Sequence, residues 1–283
     1  MPMSNMLVST EDLATRLGQS DLVICDVRHD LARADAWGEA QYREGHIPGA
    51  VFVHLDRDLS APMTGSNGRH PLPYPETASA VFGRLGIDPS KRVVAYDQGP
   101  GMFAARLWWM LRWLGFDDVA VLDGGFAKWR SEGLPISASP TTPIPAHFAI
   151  QRVTPTVDAS GVMASLARQA LVLIDARAPE RFRGETEPLD PVAGHIPGAR
   201  NRPFNLNLRP DGTFKDAAAL RAEFDAVLAG AAKDAVVHLC GSGVTACHNM
   251  LAMEIAGFPP TRLYPGSWSE WCANPARPVA SGA

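Results

Sequence analysis

Short apolar runs, rich in β-branched residues, punctuate this chain at residues 22–26, 92–96, 119–122, 171–175, 235–239 and 262–264. Runs of that length bounded by polar residues fit buried strands. Other stretches carry apolar residues at helical spacing. These are residues 11–17, 103–114, 160–167 and 244–256; in the last, Val244, Cys247, Met250, Leu251 and Ile255 share one face. Strands that alternate with helices predict an α/β fold, with mostly parallel sheets covered on both faces.

The order helix, strand, turn, strand, helix, strand occurs twice. Gly45-His46-Ile47-Pro48-Gly49-Ala50 returns 149 positions later as Gly194-His195-Ile196-Pro197-Gly198-Ala199. Asp26-Val27-Arg28 and Asp175-Ala176-Arg177 keep the same offset. Further on the offset is 142: Gly115-Phe116 matches Gly257-Phe258, and Gly124-x-Phe126-x-x-Trp129 matches Gly266-x-Trp268-x-x-Trp271. The chain therefore contains two copies of one domain, the second shorter by seven residues in its middle. Prolines at 140, 143, 145 and 155 mark the connection. The expected division is a first domain over 5–138, a linker over 139–155 and a second domain over 156–283.

Composition narrows the function classes. Of 283 residues, 46% are hydrophobic and 20% charged, enough for two globular cores. A net charge of −4 gives no basic bias towards nucleic acid. No apolar run has membrane length, and residues 1–10 have no signal-peptide pattern, so no membrane partner is expected and the cytoplasm is the expected compartment. The four cysteines, Cys25, Cys240, Cys247 and Cys272, form no CxxC pair, so neither zinc nor a disulfide framework is expected.

The chemistry concentrates after the strand at 235–239. Cys240-Gly241-Ser242-Gly243-Val244-Thr245-Ala246 places a cysteine at the carboxyl end of that strand, just before a helix. In α/β sheets that edge is where sites are built. The glycines let backbone N–H groups curl around one point, and the helix start adds positive potential. A thiolate held there is expected to have a lowered pKa and to act as a nucleophile.

Together these motifs resemble the tandem rhodanese-domain sulfurtransferases over nearly the whole chain. The resemblance implies two rhodanese-like α/β domains, each a mostly parallel sheet flanked by helices, with the catalytic site in the second. It implies that Cys240 carries a sulfur atom as a persulfide between a small-molecule donor and an acceptor. The acceptor would be cyanide or a thiol such as thioredoxin or a small thiol. No metal and no organic cofactor is expected. Members preferring 3-mercaptopyruvate carry a loop like this one, whereas those preferring thiosulfate typically have Arg-Lys where Gly241-Ser242 stand here. Two cations would suit a dianion, and this loop has none. By the family pattern Ser242 works with His70 and Asp56 in moving protons, and Arg181 binds the donor carboxylate. Gly241, Gly243, Val244, Thr245 and Ala246 line the substrate site. A second arginine found in some members before the repeated turn is absent from 187–191; Arg183, Arg200 and Arg202 are alternatives that spacing does not separate.

The position matching Cys240 in the first copy is Gln98 by the 142 offset, or Asp97 if the gap falls locally; neither carries sulfur, so the first domain is expected to be catalytically silent. His46, His195, Asp26 and Asp175 occur in both copies and read as scaffold. Trp108, Trp109, Trp113 and Trp129 read as core or domain interface, Cys25 and Cys247 as core, and Cys272 as an exposed residue near the tail. Three rivals remain: a thiosulfate sulfurtransferase, a phosphatase of the same superfamily and a non-catalytic binding module. The phosphatase needs an arginine at position 246, where this chain has alanine, and a loop one residue longer.

Overall fold

The computed structural model describes residues 6–33, 35–168 and 170–282. They form two compact units. Unit 1 gathers the described residues up to Ser60, Pro73–Thr154 and Pro210–Phe214; unit 2 gathers Ala61–Leu72, Pro155–Arg209 and the described residues from Lys215 onward. Twelve residues of the first repeat, Ala61–Leu72, thus belong to the second unit.

In unit 1, β1 (Leu7–Val8), β2 (Leu22–Asp26), β3 (Val51–Phe52), β4 (Arg92–Tyr96) and β5 (Val119–Leu122) pair in the order β1-β5-β4-β2-β3, and every pairing is parallel. In unit 2, β6 (Val172–Asp175), β7 (Arg200–Asn201), β8 (Val236–Leu239) and β9 (Arg262–Leu263) pair in parallel in the order β7-β6-β8-β9. The strands expected from the apolar runs are all present. The two-residue strands β1, β3 and β7 were not anticipated, because two residues carry no periodicity.

The helices expected at 11–17 and 160–167 are Thr10–Thr15 and Ala159–Leu166. Both begin at side-chain caps: Ser9 Oγ accepts the Asp12 N–H at 3.0 Å, and the Asp158 carboxylate accepts the Gly161 N–H at 2.7 Å. Those expected at 103–114 and 244–256 are Met102–Trp113 and Thr245–Ile255.

The repeated motifs recur because they meet in space. In unit 1, Arg28 forks onto the Asp26 carboxylate at 2.7–3.0 Å and donates to the Gly45 carbonyl at 2.7 Å, while its guanidinium lies 4.2 Å over the Phe126 ring. In unit 2, Arg177 does the same with Asp175, with the Gly194 carbonyl at 2.8 Å and with the Trp268 ring at 4.7 Å. One buried guanidinium thus joins strand end, turn and aromatic motif. The turn histidines complete the joint. His46 Nδ1 lies 2.7 Å from the Tyr42 carbonyl and His195 Nδ1 lies 2.8 Å from that of Phe182, each ring stacked on the same residue's ring. The closing tryptophans tie down the end of each repeat: Trp129 donates to the Pro135 carbonyl and Trp271 to that of Pro278.

Trp108, Trp109, Trp113 and Trp129 are buried in unit 1, as are Cys25 and, in unit 2, Cys247. Burial, with Asp26 beside it, pushes the Cys25 thiol well above its usual range. Cys272 corrects an expectation. It is 7% exposed, packed in the core with Trp268 and Trp271, and burial pushes its thiol up to about 11. No helix among the described residues is long and apolar enough to cross a membrane.

Candidate active site

Strand β8 ends at Leu239, and Cys240 follows. Register gives the matching position in unit 1: Asp175 pairs with Leu239 as Asp26 pairs with Tyr96, so Asp97, not Gln98, corresponds to Cys240. The buried Asp97 carboxylate fills its own loop. It accepts N–H bonds from Gly99, Gly101, Phe103 and Ala104 at 2.9–3.4 Å. Burial raises its pKa, against the pull of those donors.

In unit 2 the equivalent point holds a sulfur atom. Cys240 Sγ receives the Gly243 N–H at 3.1 Å and the Ser242 N–H at 3.4 Å. Gly243 has φ +75°, and a Cβ there would lie 2.4 Å from the Pro265 carbonyl oxygen, so the inward curl depends on glycine. Val244 precedes the helix Thr245–Ile255, whose first turn contains Thr245 and Ala246. The backbone of Cys240 is pinned from behind: its N–H donates to Ser267 Oγ at 3.1 Å and its carbonyl accepts the Trp268 N–H at 3.0 Å. Cys247 lies beneath, its Sγ donating to the Gly243 carbonyl at 3.4 Å, which fits the core role expected for it.

The segment Ala61–Leu72 brings His70 to this loop. Gly68, at φ +87°, passes so close to Gly266 that a Cβ would sit 2.9 Å from its carbonyl oxygen, and the Arg69 N–H donates to Ser269 Oγ at 3.1 Å. His70 Nδ1 then lies 2.7 Å from Ser242 Oγ, both side chains buried. Asp56 belongs to unit 1, on the helix Leu55–Asp58, with a carboxylate oxygen 3.9 Å from His29 Nε2. His29, His54 and Asp56 are the one group among the described residues with ligand atoms close enough to hold a metal ion. Both ring nitrogens of His54 are engaged, Nδ1 by the N–H groups of Asp56 and Arg57 and Nε2 by Asp35.

The loop itself carries no cation, but two guanidiniums lie against it. Arg181, on the helix Pro179–Phe182, is held by the Glu187 carboxylate at 2.6–3.2 Å and reaches Asp190 at 3.4 Å. Asp190 also pairs with Arg69 Nη1. Glu187 in turn accepts from Arg177 at 3.3 Å, so carboxylates and guanidiniums alternate from Asp175 to Arg69. A Cβ built on Gly241 would lie 2.7 Å from Arg69 Nη2, 3.6 Å from Arg181 Nη2 and 3.7 Å from Arg181 Nη1. The other arginines weighed from sequence are engaged elsewhere. Arg183 pairs with Glu185, Arg200 donates to the Val227 and Leu228 carbonyls, and Arg202 pairs with Glu223. Sequence reasoning missed Arg69, whose one signal was its place next to His70, and Ser267, which had none.

Comparison with known proteins follows the same lines. The rhodanese-like domain profile matches residues 9–132 and 158–274. A Pseudomonas aeruginosa chain named probable 3-mercaptopyruvate sulfurtransferase is 48% identical, over 99% of each chain. A Mycobacterium tuberculosis chain provisionally named thiosulfate sulfurtransferase SseB is 40% identical, over 98% of this chain and 97% of that one. The crystal structure of SseA from Escherichia coli, described as showing the rhodanese fold of 3-mercaptopyruvate sulfotransferases, superimposes with a TM-score of 0.81 at 33% identity, covering 94% of this chain and 99% of that one.

Proposed function

From the premise that this chain belongs to the rhodanese-like family, we propose that it is a sulfurtransferase taking sulfur from 3-mercaptopyruvate. The observation that carries the reading is Cys240 Sγ at the carboxyl end of β8, facing the N–H groups of Ser242 and Gly243. Donors aimed at sulfur stabilise negative charge there.

In the proposed reaction the Cys240 thiolate attacks the donor's sulfur. An S–S bond forms, the C–S bond breaks, and its electron pair passes to the carbon as the enolate of pyruvate. The proton leaving the donor's thiol is the proton the enolate carbon needs, so one relay serves both. Ser242 and His70, 2.7 Å apart, are suited to that transfer. Asp56 is assigned to the same relay by the family pattern alone. Arg181 binds the donor carboxylate, and the loop residues Gly241, Gly243, Val244, Thr245 and Ala246 line the site. An acceptor thiol, such as thioredoxin or a small thiol, or cyanide, then attacks the outer sulfur and restores the Cys240 thiolate. We place the chain in the cytoplasm, where its four free, buried cysteines stay reduced.

Thiosulfate is the second reading, favoured by the two guanidiniums at Gly241, which suit any anionic donor. Comparison of kcat/KM for the two donors separates them, and a clear preference for thiosulfate overturns the first. Mass spectrometry after donor treatment should find one added sulfur atom on Cys240, and C240S should abolish turnover with either donor. Turnover by C240S refutes the scheme.

A further inference from the structure

The stretch Glu187-Pro188-Leu189-Asp190-Pro191 contains no arginine. It contributes two carboxylates whose side chains are both 3% exposed. Asp190 lies between two cations, taking Arg69 Nη1 on one oxygen and Arg181 Nη2 on the other. Arg69 engages Asp190 through Nη1 and turns Nη2 to the space above Gly241; Arg181 is gripped by Glu187 at Nε and Nη2 and brings both terminal nitrogens to the same space, of which Nη1 takes no part in that grip. Gly241 directly follows the reacting cysteine, so both free edges face the place where a donor bound to Cys240 must lie.

We propose that Arg69 is a second substrate-binding residue, which with Arg181 clamps the carboxylate of the donor. The inference rests on the 3-mercaptopyruvate reading above and adds to it a residue from a different segment of the chain. Two guanidinium edges meeting one carboxylate give charge-assisted bonds with a fixed direction. Asp190 and Glu187 position the clamp: they hold each guanidinium by one edge and leave part of the positive charge for a ligand. The two edges favour an anionic ligand, because a carboxylate accepts stronger charge-assisted bonds from guanidinium N–H groups than a neutral acceptor does. Gly241 is part of the same design, since a side chain there would occupy the space reached by Arg69 Nη2. Arg69 and His70 are neighbours, so the docking of Gly68 and Arg69 on residues 266–269 sets carboxylate binding and proton transfer together.

The test is steady-state turnover of 3-mercaptopyruvate by the wild-type protein and by R69M, R69Q and R69K, with sulfur loading on Cys240 followed by mass spectrometry. We expect R69M and R69Q to raise KM by about tenfold or more while kcat falls by less than about threefold, the pattern for lost ground-state binding. R69K, which keeps the charge but not the fork, should recover part of the loss. Arg69 is excluded if KM stays within about twofold in both R69M and R69Q, or if kcat collapses with KM unchanged. R69Q keeps a donor towards Asp190, so it reports on binding even if R69M folds poorly. If the wild-type protein takes no sulfur from 3-mercaptopyruvate, the functional reading itself fails; an active wild type with unaffected variants removes the clamp alone.

Discussion

Ser267 holds Cys240 in place through a strained backbone. Its φ is +53°, a left-handed conformation for a residue with a side chain, and its hydroxyl accepts the Cys240 N–H at 3.1 Å while donating to the Tyr264 carbonyl at 2.9 Å. Such strain costs about 1–2 kcal/mol and persists when the surroundings over-determine it. The matching residue in unit 1 is Gly125, at φ +58°, which adopts the same conformation without a side chain.

Ser267→Ala keeps the strain and loses both bonds, leaving a buried N–H without its partner. A loss of about 2–3 kcal/mol is expected. Ser267→Gly loses the same bonds but relieves the strain, and should cost less. Urea unfolding of the two variants orders them. An alanine variant as stable as the glycine variant would show that the left-handed backbone is not what the hydroxyl offsets.

His70→Ala should slow turnover by about tenfold or more, the scale of general acid–base catalysis. Ser242→Ala should act in the same step, so the double variant should be little slower than the slower single one. Rates that multiply in the double variant would separate the two side chains, and an unaffected His70→Ala would remove His70 from the scheme.

Gly243→Ala forces a Cβ to within 2.4 Å of the Pro265 carbonyl oxygen at a φ of +75°. The loop must shift, taking with it the N–H that lies 3.1 Å from Cys240 Sγ. Sulfur loading should slow by at least tenfold, a rise of about 1.4 kcal/mol in the barrier, while Gly257→Ala, also at positive φ but with nothing within 4 Å, should load sulfur normally. Equal loading in both would contradict the role given to the loop.

His238, on β8, is wholly buried, and burial drives its imidazole down to about 3 from 6.5. A folded-state pKa below the unfolded one means that the unfolded chain binds the extra proton between those values. The stability linked to His238 is therefore full above about pH 6.5 and is lost as pH falls towards 3, at about 1.4 kcal/mol per unit. His238→Phe should flatten that slope by one proton in denaturant unfolding at pH 7, 6, 5 and 4. The same slope in both proteins would rule out this linkage.

The fold was legible in the sequence wherever a feature was local or repeated. Strands β2, β4 and β5 stand where their apolar runs placed them, because a parallel strand covered on both faces is a near-continuous apolar run. Cys240 and its glycines were legible too, since a strand end followed by a helix is a local pattern. Asp26, Arg28, Gly45 and Phe126 announced themselves by returning as Asp175, Arg177, Gly194 and Trp268, and one buried guanidinium per unit requires all four together. What tertiary structure alone decided is what approaches from distant parts of the chain. The pairing of Arg69 with Asp190 spans 121 positions, and that of His70 with Ser242, which the family pattern implied but no local motif shows, spans 172. Nothing in a local pattern encodes them, because they exist only when Ala61–Leu72 packs in unit 2. The loop sequence by itself has no cation; the packed structure brings it two.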